Sequence, residues 1–130
     1  MTEKYFLANQ SQISNEIKGL YRQLDGKRNE LNMLCCDWCQ ELRKQYEQYK
    51  GKRVKVVFEK VRINCLNETD IVRKEREGFI QGFSYRHGYT SYIITMDIAK
   101  VKKDGTPSKV LFPNWEMYSW QEIVSVEIVE

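Results

Sequence analysis

Four cysteines and a single histidine are the residues of this 130-residue chain with the most distinctive chemistry. Cys36 and Cys39 form a C-x-x-C, and with Cys65 and His87 they make up a three-Cys, one-His set that zinc would accept. Structural zinc sites usually draw their ligands from paired knuckles, and the sequence offers only one, so no metal and no cofactor is expected. Reactive C-x-x-C pairs sit at a helix N-terminus, where the dipole stabilises the thiolate. Here the motif falls in mid-helix, and Cys35, Cys36, Cys39 and Cys65 are expected to be free thiols that simply pack. Neighbouring cysteines on one helix make a poor disulfide, which points to a reducing, cytoplasmic setting. His87 lies between Arg86 and Gly88, with no orienting partner nearby in sequence, and is expected at an exposed turn. No nucleophile elbow, phosphate loop, zincin motif or dinucleotide fingerprint occurs, so the chain is not expected to be an enzyme.

Two groups of residues suit recognition better than catalysis. Trp115, Tyr118 and Trp120 crowd into one short connection, with Tyr85 and Tyr89 near another turn. Together they could line a shallow groove for a protein partner, stack single-stranded nucleic acid, or close the end of a small core. Lys52, Arg53 and Lys55, with Lys100, Lys102, Lys103 and Lys109, could form a phosphate-binding patch if the first and third strands lie together. Glu59, Asp97 and Asp104 dilute that patch, and the formal net charge of +3 is shared between the two halves of the chain. At 42% hydrophobic and 30% charged, the composition is that of a folded globular chain. No stretch has the apolar length of a membrane span, and the first ten residues lack the pattern of a secretory signal, so no membrane association is expected.

The period of the sequence changes at Gly51. Before it, Phe6, Ile13, Ile17, Leu20, Leu24, Leu31, Leu34 and Trp38 follow a 3-4 heptad stripe, the mark of a helix that buries one seam. Ile17, Leu24, Leu31 and Trp38 occupy a positions, while Phe6, Ile13, Leu20, Lys27 and Leu34 occupy d. Thr2 is a candidate cap, and Lys50-Gly51 is the expected stop. Asp25-Gly26 is a turn signal within this stretch, so residues 1–50 read either as one long coiled-coil-like helix or as a helical hairpin. The heptad register runs through Gly26 unshifted, which favours the single helix.

After Gly51 the spacing predicts strands at 53–59, 76–85, 89–102, 108–112 and 123–129, with residues 60–74 as a loop. Val54, Val56 and Phe58, then Tyr92, Ile94, Met96 and Ile98, then Val124, Val126 and Ile128 are the expected inward residues. Gly78 and Gly82, four apart, mark a sharp bend or bulge in the second strand. In strand count and in these punctuating glycines, residues 51–130 resemble the SH3-like and Sm-like small barrels, and the preceding helix matches the Sm-like layout. The Asp and Asn signature positions of Sm proteins are absent, and a shared fold of this kind carries no function with it. The expected class is α+β: a helical arm over 1–50, then a five-stranded antiparallel, partly open β-barrel over 51–130.

A helical strip of Ile, Leu and Trp has to be covered by something in water. The expected function is therefore a non-enzymatic interaction or assembly module. Its arm would form a homo-oligomer through Ile13, Ile17, Leu20, Leu24, Leu31, Leu34 and Trp38, and its barrel would bind a protein partner. The alternative is a nucleic-acid-binding barrel that uses the lysines and aromatics above.

Overall fold

The computed structural model describes residues 1–87, 92–113 and 117–129. Helix α1, Glu3–Gln45, is one continuous element. The Thr2 hydroxyl accepts the Tyr5 backbone N–H at 3.2 Å and caps its start. The helix passes through Asp25 and Gly26 without a turn, and the Lys27 ammonium reaches the Glu30 carboxylate at 3.1 Å one turn beyond. A lone glycine costs about 1 kcal/mol against alanine, too little to break a helix with helix formers on both sides. The expected stop at Lys50-Gly51 is reached differently. α1 ends at Gln45, and a 3₁₀ turn, Glu47–Tyr49, leads to Gly51 at φ 74°. This tighter winding accompanies the packing of Tyr46 against both Tyr49 and Phe83.

The chain divides into two compact units, Met1–Leu34 and Cys35–Glu130. The first is helix alone. In the second, the last turns of α1 bury Cys35, Cys39 and Leu42, whose 4- and 3-residue spacing puts them on one face. The rest of that unit is a five-stranded antiparallel sheet: β1 Arg53–Ile63, β2 Thr69–His87, β3 Tyr92–Val101, β4 Pro107–Leu111 and β5 Ile123–Ile128. Its order is β4-β3-β2-β1-β5, so β4 and β5 are the edges and the sheet is not closed. This is the expected α+β arrangement of one long helix followed by five antiparallel strands.

Residues 60–74, expected as a loop, are instead mostly strand. β1 and β2 stay paired out to Ile63 opposite Thr69, with Val61 facing Ile71. Glu59 meets Arg73 at 3.7 Å across this ribbon. The turn is built by Asn64, whose side-chain oxygen accepts the N–H groups of Leu66 and Glu68 at 2.9 Å, with Asn67 at φ 57°. Charged residues mask the alternation in sequence, and neither face of the ribbon is buried, so the usual period-2 signal is weak.

Val54, Val56 and Phe58 are fully buried, as are Met96 and Ile98, and Ile94 is nearly so. Val57, Thr95 and Ala99, on the opposite sides of their strands, are buried as well, so the centre of the sheet is covered on both faces. The inward residues expected on β5 need correction. Val124 and Ile128 are exposed, and only Val126 is half-buried. β5 is an edge strand, and the β1–β5 register slips between Val57 and Phe58, which sets Ile123 opposite Phe58 and turns Val124 away. The two β2 glycines have separate reasons. A side chain at Gly78 would collide with the Ala99 carbonyl oxygen and with Ile98 Cγ2. Gly82 sits where the β2–β3 register slips, at φ 155°, with Arg43 Nε 3.1 Å from where a Cβ would stand.

Candidate binding surface

The β1–β2 register places Arg76 opposite Val56 and Lys74 opposite Phe58, so both cations share a face with core side chains. Just after β4, Phe112 is tied to β3 by its N–H, which donates to the Ile98 carbonyl at 2.9 Å. Two cations lie over its ring: the Arg76 guanidinium at 5.3 Å and the Lys100 ammonium at 5.4 Å. Met117 is buried and anchors the segment after 116. Next to it, Tyr118 meets Phe58 edge-on, 6.0 Å between centroids, and receives the Lys74 ammonium over its ring at 5.5 Å. The result is a strip of two aromatic rings under three cations, half-buried except for the exposed Lys100. Cation–ring contacts hold such rings in place and keep positive charge near flat apolar surface.

A separate cavity of ≈ 430 Å³ opens where the end of α1 meets β2; Arg43, Tyr46, Lys50, Phe79 and Phe83 are among its walls. Arg43 is held there by donating from Nη2 to the Phe83 carbonyl at 3.0 Å, and Tyr46 packs on the Phe83 ring. Burial raises the Tyr46 phenol above its ordinary range, so it stays a neutral wall at physiological pH.

Of the aromatics singled out in the sequence, Tyr118 is part of this strip. Trp120 is half-buried and packs edge-on against Trp38, 5.1 Å between centroids and 61° between planes. A 3₁₀ turn, Trp120–Glu122, leads from it into β5, with the Ser119 hydroxyl accepting the Gln121 N–H. Tyr85 is tilted against Tyr92 at 5.8 Å. Tyr89 and Trp115 lie outside the described residues.

The lysines fall into two groups with β2 between them, because β1 and β3 each pair with β2 rather than with each other. Arg53 is engaged by Glu77 at 3.3 Å and Lys55 by Glu75 at 3.7 Å. Lys52, Lys102, Lys103 and Lys109 are exposed, and Lys100 joins the strip over Phe112. Lys74, Arg76 and Phe112 were missed as site residues in the sequence. The first two read as part of a charged loop and strand start, and only the β1–β2 register reveals that they share the face of Phe58.

No family model, curated protein or solved structure matches this chain.

The four cysteines differ in setting. Cys35 and Cys39 are buried, Cys36 is exposed three residues before Cys39, and Cys65 is exposed at the β1–β2 turn. Burial pushes the Cys35 and Cys39 thiols up, and for Cys39 the nearby Arg43 only partly opposes it. Among the described residues, no three His, Cys, Asp or Glu side chains gather as metal ligands. Among the same residues, no helix is long and apolar enough to cross a membrane.

The seam of the first unit is bare. Phe6, Ile13, Ile17, Leu20, Leu24 and Leu34 are exposed, with Leu24 the least so at 44%. Leu31 is half-buried, and Trp38 at the next a position is packed by Trp120.

Proposed function

We propose that this chain is a non-enzymatic interaction and assembly module. Its helical arm, within residues 1–50, associates with other copies. The remainder, residues 51–130, is a small, partly open barrel of the SH3-like or Sm-like kind and recognises a partner. The observation that carries this reading is the exposed heptad seam from Phe6 to Leu24. Large apolar side chains left in water on one helical stripe are a standing drive for association. The barrel reading is supported by the strand order, by the close approach at Gly78 and slip at Gly82, and by the 3₁₀ turn just before β5. Recognition is assigned to Tyr118, Phe112, Lys74, Arg76 and Lys100, with Trp120 packed on Trp38.

The test is the molar mass of the full chain by light scattering across a wide concentration range. Mass rising above 15.6 kDa with concentration is the expected result, and a monomer throughout would remove the assembly half of the reading.

One observation favours a second reading, in which the barrel binds nucleic acid. The strip pairs cations with rings that bases could stack on. Titrating single- and double-stranded oligonucleotides at rising salt separates the two. A steep loss of affinity with salt would replace a protein partner by nucleic acid.

A further inference from the structure

The bare seam also contains the information needed to choose its mate. Resting on the reading that the arm self-associates, we infer that two copies of Glu3–Leu34 pair antiparallel, with Ile17 and Leu20 at the two-fold axis.

The seam's misfits set the orientation. Glu3 and Gln10 occupy a positions and Lys27 occupies d, in a stripe that is otherwise Phe, Ile and Leu. In a parallel, in-register pair each position meets its own copy. Lys27 would then face Lys27, Gln10 would face Gln10 and Glu3 would face Glu3, with two of these three layers holding like charges. An antiparallel pair instead sets a positions against d positions. With Ile17 facing Leu20 of the second copy, the other layers follow at heptad spacing: Ile13 with Leu24, Phe6 with Leu31, Gln10 with Lys27, and Glu3 with Leu34. Every apolar residue from Phe6 to Leu31 meets another apolar residue. The lysine meets the one uncharged polar side chain in the seam, and Glu3 falls at the end of the pair, where water reaches it.

The flanks agree. Glu16 comes beside Gln23 of the second copy and Glu30 beside Asn9, while Arg28 lies along Leu7 and Tyr21 along Ser14, so no like charges are brought together. Leu7 and Tyr21, exposed and just outside the seam, gain cover from these neighbours. Gly19 and Gly26 both fall on the outer side of the helix, where neither obstructs the approach. The pairing spans the first compact unit from Glu3 to its last residue, Leu34, and stops short of Trp38, which is already packed by Trp120.

Gln10→Glu separates the orientations by sign. In the antiparallel pair it puts a carboxylate opposite Lys27 twice per dimer, and the dissociation constant should fall by a factor between about 2 and 30, less so at high salt. In a parallel pair it sets glutamate against glutamate and loosens the dimer. Sedimentation equilibrium of the full-length wild type and Q10E reads this directly, with Leu20→Glu as the control expected to give monomer. A dimer that Q10E weakens or leaves unchanged overturns the antiparallel register while leaving self-association standing. A wild-type chain that is monomeric at every concentration overturns both.

Discussion

At the scale of single residues, environment and not spacing decides what the cysteines do. Cys36 and Cys39 are three apart, yet on the last turns of α1 one faces water and the other is buried. Thiolate reactivity follows exposure and pKa, so iodoacetamide should alkylate Cys36 and Cys65 first, with Cys35 and Cys39 protected until the chain unfolds. Mass-spectrometric mapping over time checks the order. The raised thiols of Cys35 and Cys39 also set the sign of a pH effect. The folded chain keeps them protonated where an unfolded chain would already ionise, so their contribution is whole below the ordinary thiol range and is lost as pH rises from there through the raised folded value. Urea midpoints should fall on the alkaline side, and Cys35→Ala with Cys39→Ala should flatten that fall. Gly78 shows the same dependence on surroundings. Its missing side chain lets β3 lie against it, and Gly78→Ala should destabilise the second unit by about 2 kcal/mol in chemical unfolding, since backbone cannot yield as a flexible side chain does.

At the scale of elements, α1 is long enough to carry two different duties along its length. Its last turns bury Cys35, Cys39 and Leu42 and are tied to β2 by Arg43 on the Phe83 carbonyl, whereas Phe6 to Leu24 has a stripe and nothing of its own to cover it. Gly19 and Gly26 weaken this part of the helix, and a methyl group at either would meet open space. Gly19→Ala and Gly26→Ala should each add about 1 kcal/mol to the helix and raise the far-UV helical signal without moving the sheet. The β1–β2 ribbon is an element of another sort. It carries Val61, Ile63, Leu66 and Ile71 exposed and is held by backbone ladders, the Asn64 turn and the Glu59–Arg73 pair. Exposed ion pairs contribute about 0–1 kcal/mol, so amide exchange should be faster across 60–72 than at Val54, Val56 and Met96.

At the scale of the whole molecule, the proposed arrangement joins an association device to a recognition device, and each can be disabled without the other. Replacing Phe112 and Tyr118 by alanine should abolish partner or oligonucleotide binding while leaving the molar mass of the assembly unchanged; Leu20→Glu should do the reverse. If both functions fail together in either variant, the two are not separable as described. The amino-acid order by itself determined a helical arm and its seam, five strands nearly in place and the glycine bend, because each is a local rule of period, capping or turn chemistry read over a few residues; that the arm is one helix through Asp25-Gly26 and not a hairpin came from the structure. It missed the ribbon over 60–74, where no buried face imposes alternation; it misjudged Val124, which one register slip against β1 turns away, and Ile128, which pairs with Val54 but stays exposed on an edge strand. Tertiary structure alone decided that Lys74, Arg76 and Lys100 gather over Phe112 and Tyr118, that β2 separates the lysines of β1 from those of β3, and that Trp120 meets Trp38. Those neighbours are distant along the chain, and only strand order and register, set by the shared core of Val56, Phe58 and Ile98, bring them within reach of one another.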